Sequence, residues 1–137
     1  MTWHTGRLID HVHLIVADVE RSRRFYEAVL GVLGIPVQTG GDYLQADELY
    51  ISEPVAAWSR ISHVHLAFQA PDRPAVDRFH AAALAAGGTD NGAPGERSYH
   101  PGYYGAFVLD PDGNNIETVF HGPSTRSAAS VAIEAGG

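Results

Sequence analysis

The chain contains no cysteine. That absence removes disulfide frameworks, thiolate zinc sites and cysteine nucleophiles together, so any bound metal must be held by imidazole and carboxylate. Iron, manganese, zinc, nickel and cobalt are the divalent ions such a donor set suits. Basic residues are few, 9 against 16 acidic, and the formal net charge of −7 argues against nucleic acid or an anionic membrane as partner. No apolar run approaches membrane-spanning length, and Met1-Thr2-Trp3-His4-Thr5-Gly6 lacks the charged-then-apolar pattern of a signal peptide. A soluble cytoplasmic protein that meets small molecules is the expectation. At 137 residues the chain is long enough to bury a core as one domain without disulfides or structural zinc.

What the chain does have is a phrase said twice. Ile9-Asp10-His11-Val12-His13-Leu14 returns 52 residues later as Ile61-Ser62-His63-Val64-His65-Leu66. Each copy alternates in the period-two manner of a β-strand, which puts both of its histidines on one face, roughly 7 Å apart. Asp18 then reads as an N-cap, with Val19, Ser22, Phe25, Tyr26, Val29, Leu30 and Leu33 at helical spacing before Gly34. Tyr43-Leu44 and Leu49-Tyr50-Ile51 suit short antiparallel strands around turns. The second half repeats the order. A strand over Ile61 to Gln69, a cap near Asp72, a helix carrying Val76, Phe79, Ala83 and Leu84, and a stop at Gly87-Gly88 lead into a Gly- and Pro-rich loop. Two strands then flank a turn at Asp110-Pro111-Asp112-Gly113.

Each half therefore reads β-α-β-β-β, and the whole as one α+β domain over residues 1–122, with modules of about 7–56 and 59–122. Residues 123–137 are small and read as a mobile tail.

These motifs resemble the vicinal oxygen chelate superfamily, which includes glyoxalase I, extradiol dioxygenases, fosfomycin-resistance thiol transferases and bleomycin-resistance binding proteins. The resemblance runs from Leu8 to Gly122. It is carried by Ile-Asp-His11-Val with Asp18 seven residues on, by Ser-His63-Val-His-Leu, and by Asp110-Pro-Asp-Gly-Asn-Asn-Ile-Glu117. It implies two tandem modules forming a partly open mixed β-barrel around a cleft, with the helices outside. It also implies a divalent ion held by His11, His63 and Glu117. A small substrate would chelate that ion through adjacent oxygens, and two copies of the chain would form a homodimer.

One position departs from the glyoxalase pattern. Aligning Leu49-Tyr50 with Ile116-Glu117 puts Tyr50 where a second glutamate would stand, and the neighbouring Glu53 falls on the opposite strand face. A ligation by two histidines and one glutamate, as in dioxygenases, is the leading expectation, with His100 or His13 as proton carrier. The alternatives are a resistance protein that binds an antibiotic without turning it over, or a glyoxalase or thiol transferase. Thiol transfer calls for cations, and half two offers only Arg60, Arg73, Arg78 and Arg97.

Other residues carry weaker signals. His13 and His65 face the cleft as polar neighbours. Tyr103, Tyr104 and Phe107 stack on a substrate or fill a core. His80 and His121 are expected at the surface without a catalytic role, and Asp110, Asp112 and Asn114 to make a turn rather than a calcium loop.

Overall fold

Two aspartates start the two helices. In the computed structural model, which describes residues 2–136, the Asp18 carboxylate accepts from the N–H groups of Glu20 and Arg21 at the head of α1 (Val19–Val32). Asp72 accepts from Ala75 N–H at the head of α2 (Arg73–Ala85). Each cap satisfies donors that would otherwise be orphaned, worth about 1 kcal/mol. Both helices end before a glycine in the left-handed region, Gly34 at φ 72° and Gly87 at φ 98°.

The strands are β1 (Thr2–Thr5), β2 (Val12–Ile15), β3 (Gln38–Thr39), β4 (Tyr43–Ala46) and β5 (Leu49–Ser52) before the second module, with α1 between β2 and β3. The second module follows with β6 (His65–Gln69), α2, β7 (Thr89–Glu96), β8 (Tyr104–Leu109) and β9 (Asn115–Phe120), and β10 (Val131–Glu134) closes the described chain. The first sheet runs β2-β5-β4-β3 and the second β6-β9-β8-β7. In each, the first strand pairs parallel with the last and the other pairs are antiparallel. Tandem β-α-β-β-β modules with mixed, unclosed sheets give the expected α+β architecture.

Period-two alternation divides each sheet into two faces. Leu14, Val16, Leu44, Ala46, Leu49 and Ile51 from the first sheet join Leu66, Phe68, Val108 and Ile116 from the second in one core with Phe25, Tyr26, Val29, Leu30, Phe79 and Ala83 of the helices. The opposite face of each sheet carries no helix and is its open face. Two further contacts tie the modules. Ile15 and Ser62 exchange hydrogen bonds, Ser62 N–H to Ile15 O at 2.8 Å and Ile15 N–H to Ser62 Oγ at 2.8 Å. The Tyr26 hydroxyl of α1 donates to Asp110 Oδ2 at 2.6 Å, in the turn between β8 and β9.

Three expectations meet a different structure. Each repeated phrase enters its strand late, because the ladder of β2 begins with Val12 N–H bonding Glu48 O, and Val64 N–H is taken by the Asn114 side chain. His11 and His63 therefore stand just before their strands. The Gly- and Pro-rich stretch is strand β7, at the sheet edge, where Pro94 needs no ladder donor and register shifts around Gly92 absorb the irregularity. The stretch expected as a tail carries β10, whose β-branched Val131 and Ile133 pair antiparallel with Thr5 and Trp3 of β1. Met1 and Gly137, at the outer ends of the expected domain and tail, lie outside the described residues.

Candidate functional site

Direct cross-strand partners on the open face of the second sheet form rows. One row reads Ala67, Glu117, Phe107, Gly92 and the next Gln69, Val119, Gly105, Gly95. Small residues thus surround Glu117 and Phe107. A Cβ on Gly105 would come within 3.4 Å of Glu117 Oε2, so the carboxylate lies over the glycine backbone. Glu117 is 3% exposed. A carboxylate that well covered needs partners, and it has two. His65 Nε2 lies 2.9 Å from Oε1, and the Tyr103 hydroxyl donates to Oε2.

The partners fix the protonation pattern. A carboxylate oxygen accepts, so His65 Nε2 carries the hydrogen and Nδ1 is the basic nitrogen of the neutral ring. The His65 side chain is 52% exposed, open to a ligand while anchored at one end. Burial, followed by the hydrogen bond and charge of Glu117, pushes the Tyr103 phenol well above its ordinary range. It stays protonated and acts as a donor throughout the neutral range. Tyr103 in turn packs edge-on against Tyr99, His100 and His121.

His100 sits in the loop entering β8. Its Nδ1 lies 2.9 Å from Pro101 O and its Nε2 lies 2.8 Å from His121 Nδ1, the two rings stacked at 5.1 Å. Because the Pro101 carbonyl only accepts, His100 donates through Nδ1 and His121 donates to His100 Nε2. His121, expected at the surface, is exposed there and takes part in this cluster.

The first module presents a different open face. Its cleft, about 280 Å³, is lined by Thr5, Asp10, His11, His13, Gln45, Asp47, Glu48 and Tyr50. His11 is 69% exposed and bonds Asp10 at 2.7 Å. His13 Nε2 lies 2.7 Å from Ser52 Oγ, and its ring meets Tyr50 edge-on while Tyr50 stacks on Tyr43. Strand register corrects the alignment of the two halves. Leu14 faces Ile51 as Leu66 faces Ile116, so the counterpart of Glu117 is Ser52, not Tyr50. Glu53 points to the helix side, where it accepts from Val19 N–H, so the module still offers no second glutamate.

The three residues expected to hold a metal are placed apart in their bonding. Glu117 has both oxygens engaged and pairs with His65, not His63; His11 opens onto the first module's cleft. Among the described residues no three His, Asp or Glu side chains converge on a point where an ion would sit. The donor types suit a divalent ion, but as placed in one chain they do not form its cradle.

The Asp110 run is turn chemistry as expected. Asp110 accepts from Asp112 N–H, both Asn114 donors and Tyr26, and Asp112 Oδ1 accepts from Ala17 and Arg21. Two features were missed in the sequence, the His65–Glu117 pairing and the Tyr103 hydroxyl. The signal for the first was Ile116, whose apolar side chain sets the strand's inward face and so turns Glu117 outward.

Among the described residues no helix is long and apolar enough to cross a membrane. A glyoxalase/bleomycin resistance protein from Albidiferax ferrireducens T118 is 33% identical, the match covering 82% of this chain and 97% of that one with a TM-score of 0.69. A glyoxalase/bleomycin resistance protein/dioxygenase family enzyme from Burkholderia phytofirmans PsJN is 25% identical over 80% of this chain and 95% of that one, TM-score 0.63. Lactoylglutathione lyase from Agrobacterium tumefaciens, 18% identical over 84% and 94% of the two chains with a TM-score of 0.60, shares the fold. Comparison with curated proteins finds no match. Residues 8–118 match the family described as Glyoxalase/Bleomycin resistance protein/Dioxygenase superfamily, and the chain belongs to that superfamily.

Proposed function

We propose that the open face of the second module binds a small molecule and moves a proton to or from it. The observation that carries this reading is the buried Glu117 carboxylate bridging His65 and Tyr103 beneath an accessible imidazole. His65 Nδ1 is the general base and, once protonated, the general acid, with Glu117 orienting the ring and favouring the imidazolium that forms. Tyr103, held neutral, keeps one Glu117 oxygen occupied. His100, in the loop entering β8, is the second proton carrier once its Nε2 is released from His121. His13, tied to a hydroxyl instead of a carboxylate, lines the first module's cleft and helps to hold ligand. The reaction class is proton abstraction next to a carbonyl, as in an isomerase or lyase.

The test is solvent exchange. Incubation in D2O with α-hydroxycarbonyl and 1,2-dicarbonyl compounds is followed by proton NMR for loss of the C–H signal. Exchange that falls at least about 100-fold in His65→Gln supports the assignment. Exchange equal in His65→Gln and wild type removes it, and saturable binding with no exchange makes the chain a binding protein.

A second reading is a divalent-metal enzyme using His11, His63 and Glu117, favoured by the dioxygenase-like donor chemistry of that set. It requires Glu117 to release its present partners. Repeating the assay in EDTA and with each of Fe, Mn, Zn, Ni and Co separates the two readings. The working unit we propose is a homodimer. Leu8, Ile9, Val55, Trp58, Ile61 and Val64 are large apolar residues left exposed in the segments that lead into β2 and β6, the kind of surface a second copy covers.

A further inference from the structure

The open face of the second module also carries a cation with a built seat. Arg97, just past β7, lays its guanidinium over the Phe107 ring, 5.4 Å from Cζ to the centroid. Phe107 is the direct cross-strand partner of Glu117, and its ring centroid lies 6.0 Å from that of His65. The arginine therefore stands on the same face as the proton-handling group and one side chain away from it. Its charge also reaches Tyr103, where it opposes the upward push on the phenol.

The seat is made by what β7 leaves out. A Cβ at Gly92 would lie 3.3 Å from one terminal guanidinium nitrogen of Arg97, and a Cβ at Gly95 would lie 3.1 Å from the other. Either would be tighter than ordinary contact, so two glycines three residues apart clear a flat bed along the strand. The guanidinium is held there by main-chain carbonyls, Nη2 to Ala93 O at 2.8 Å and Nη1 to Glu96 O at 3.3 Å. Among the described residues it has no carboxylate partner. Arg73 makes the contrast. It stacks over Tyr104 in the same manner, at 4.7 Å, but its charge is answered by Glu96 at 2.8 Å. An arginine set over an aromatic ring, with one hydrogen of each terminal nitrogen given to a carbonyl and no carboxylate answering its charge, keeps N–H donors that a carboxylate takes up.

We infer that Arg97 is the specificity-determining residue of this face and that the small molecule bound there carries a carboxylate next to a flat or apolar portion. The carboxylate meets the guanidinium, the apolar portion runs along the Phe107–Glu117–Ala67 row toward the exposed Ala67, and the reacting carbon comes under His65. This rests on the reading of the second module's open face as the binding surface.

Phenylacetate and its neutral isostere phenylacetamide are the probes, each titrated to 10 mM into the full-length protein with amide chemical shifts as the readout. The expected result is that phenylacetate moves the signals of residues 92–97 and 105–107 and binds at least ten-fold tighter than the amide. In Arg97→Gln that preference disappears while phenylacetamide binds as before, and in Arg97→Lys it is reduced but present. Retained binding of the amide shows that the variant has kept its fold. Equal affinity for acid and amide, or a preference that survives in Arg97→Gln, overturns the assignment of Arg97 and leaves the binding face standing. Shifts confined to other parts of the molecule, or none from either probe, overturn the binding face and Arg97 with it.

Discussion

The two modules are built to one plan and differ where it matters. Each places a histidine on the open face of its first strand and holds it from the neighbouring parallel strand. In the first module the holder is the Ser52 hydroxyl, and in the second it is the Glu117 carboxylate. The floors differ as well. Stacked Tyr43 and Tyr50 stand beside the cleft of the first face, whereas on the second Gly92 and Gly95 seat the Arg97 guanidinium and Gly105 makes room for Tyr103 and Glu117. One half of the duplication thus holds a cleft beside a hydroxyl-tied histidine and the other an exposed imidazole paired with a buried carboxylate. A carboxylate orients an imidazole and stabilises its charged form, and a hydroxyl only orients it.

The largest break in that contrast is Glu117→Ser, which makes the second site a copy of the first. Proton exchange on a substrate of the second face falls about 100-fold or more, and adding His65→Gln to it costs little further, because the two act as one unit. The next effect is on stability. Asp110→Ala strips four donors of their acceptor in the turn that only the second module has, at a cost on the order of 3 kcal/mol in urea denaturation.

Alkaline titration probes the tie between modules at smaller scale. Burial first, and then the charge of Asp110, hold the Tyr26 phenol well above its ordinary value. Its contribution to stability is therefore complete below about pH 10, the unfolded value, and is lost as pH rises from there toward the folded one. Tyr26→Phe costs about 1 kcal/mol at neutral pH and flattens this alkaline loss in pH-dependent denaturation curves. The mildest change sharpens the comparison from the other side. Ser52→Glu gives His13 Nε2 a carboxylate to donate to, read by NMR as a downfield shift of the imidazole Nε2–H signal. An unmoved His13 contradicts the register that equates Ser52 with Glu117.

The repeat, both helix caps and the module order were legible because each rests on a local signal: alternation around His11 and His63, Asp18 and Asp72 before apolar periodicity, glycine after it. Glu117 was legible as a candidate site residue through the family motif. Its partner was not. Loop lengths between the paired strands differ in the two halves, two residues at Asp47-Glu48 against five from Asp110 to Asn114, so matching by sequence slid the halves by two positions and put Tyr50 in place of Ser52. A slip of two keeps the same face, and nothing in the alternation exposes it. Strand β7 escaped for another reason. Its glycines and proline read as a loop, and only pairing with β8 makes an edge strand of them.

The ribbon of β1 and β10 has a consequence of its own. Thr2 pairs with Glu134 and Thr5 with Val131, and His4 reaches Ser130 at 2.7 Å, so the two ends of the described chain are zipped side by side. The backbone traces a ring with one small gap. Closing that gap with a short linker and cutting between residues 56 and 59 gives a circular permutant in which the second module is synthesised before the first, and the clasp becomes the hinge between them.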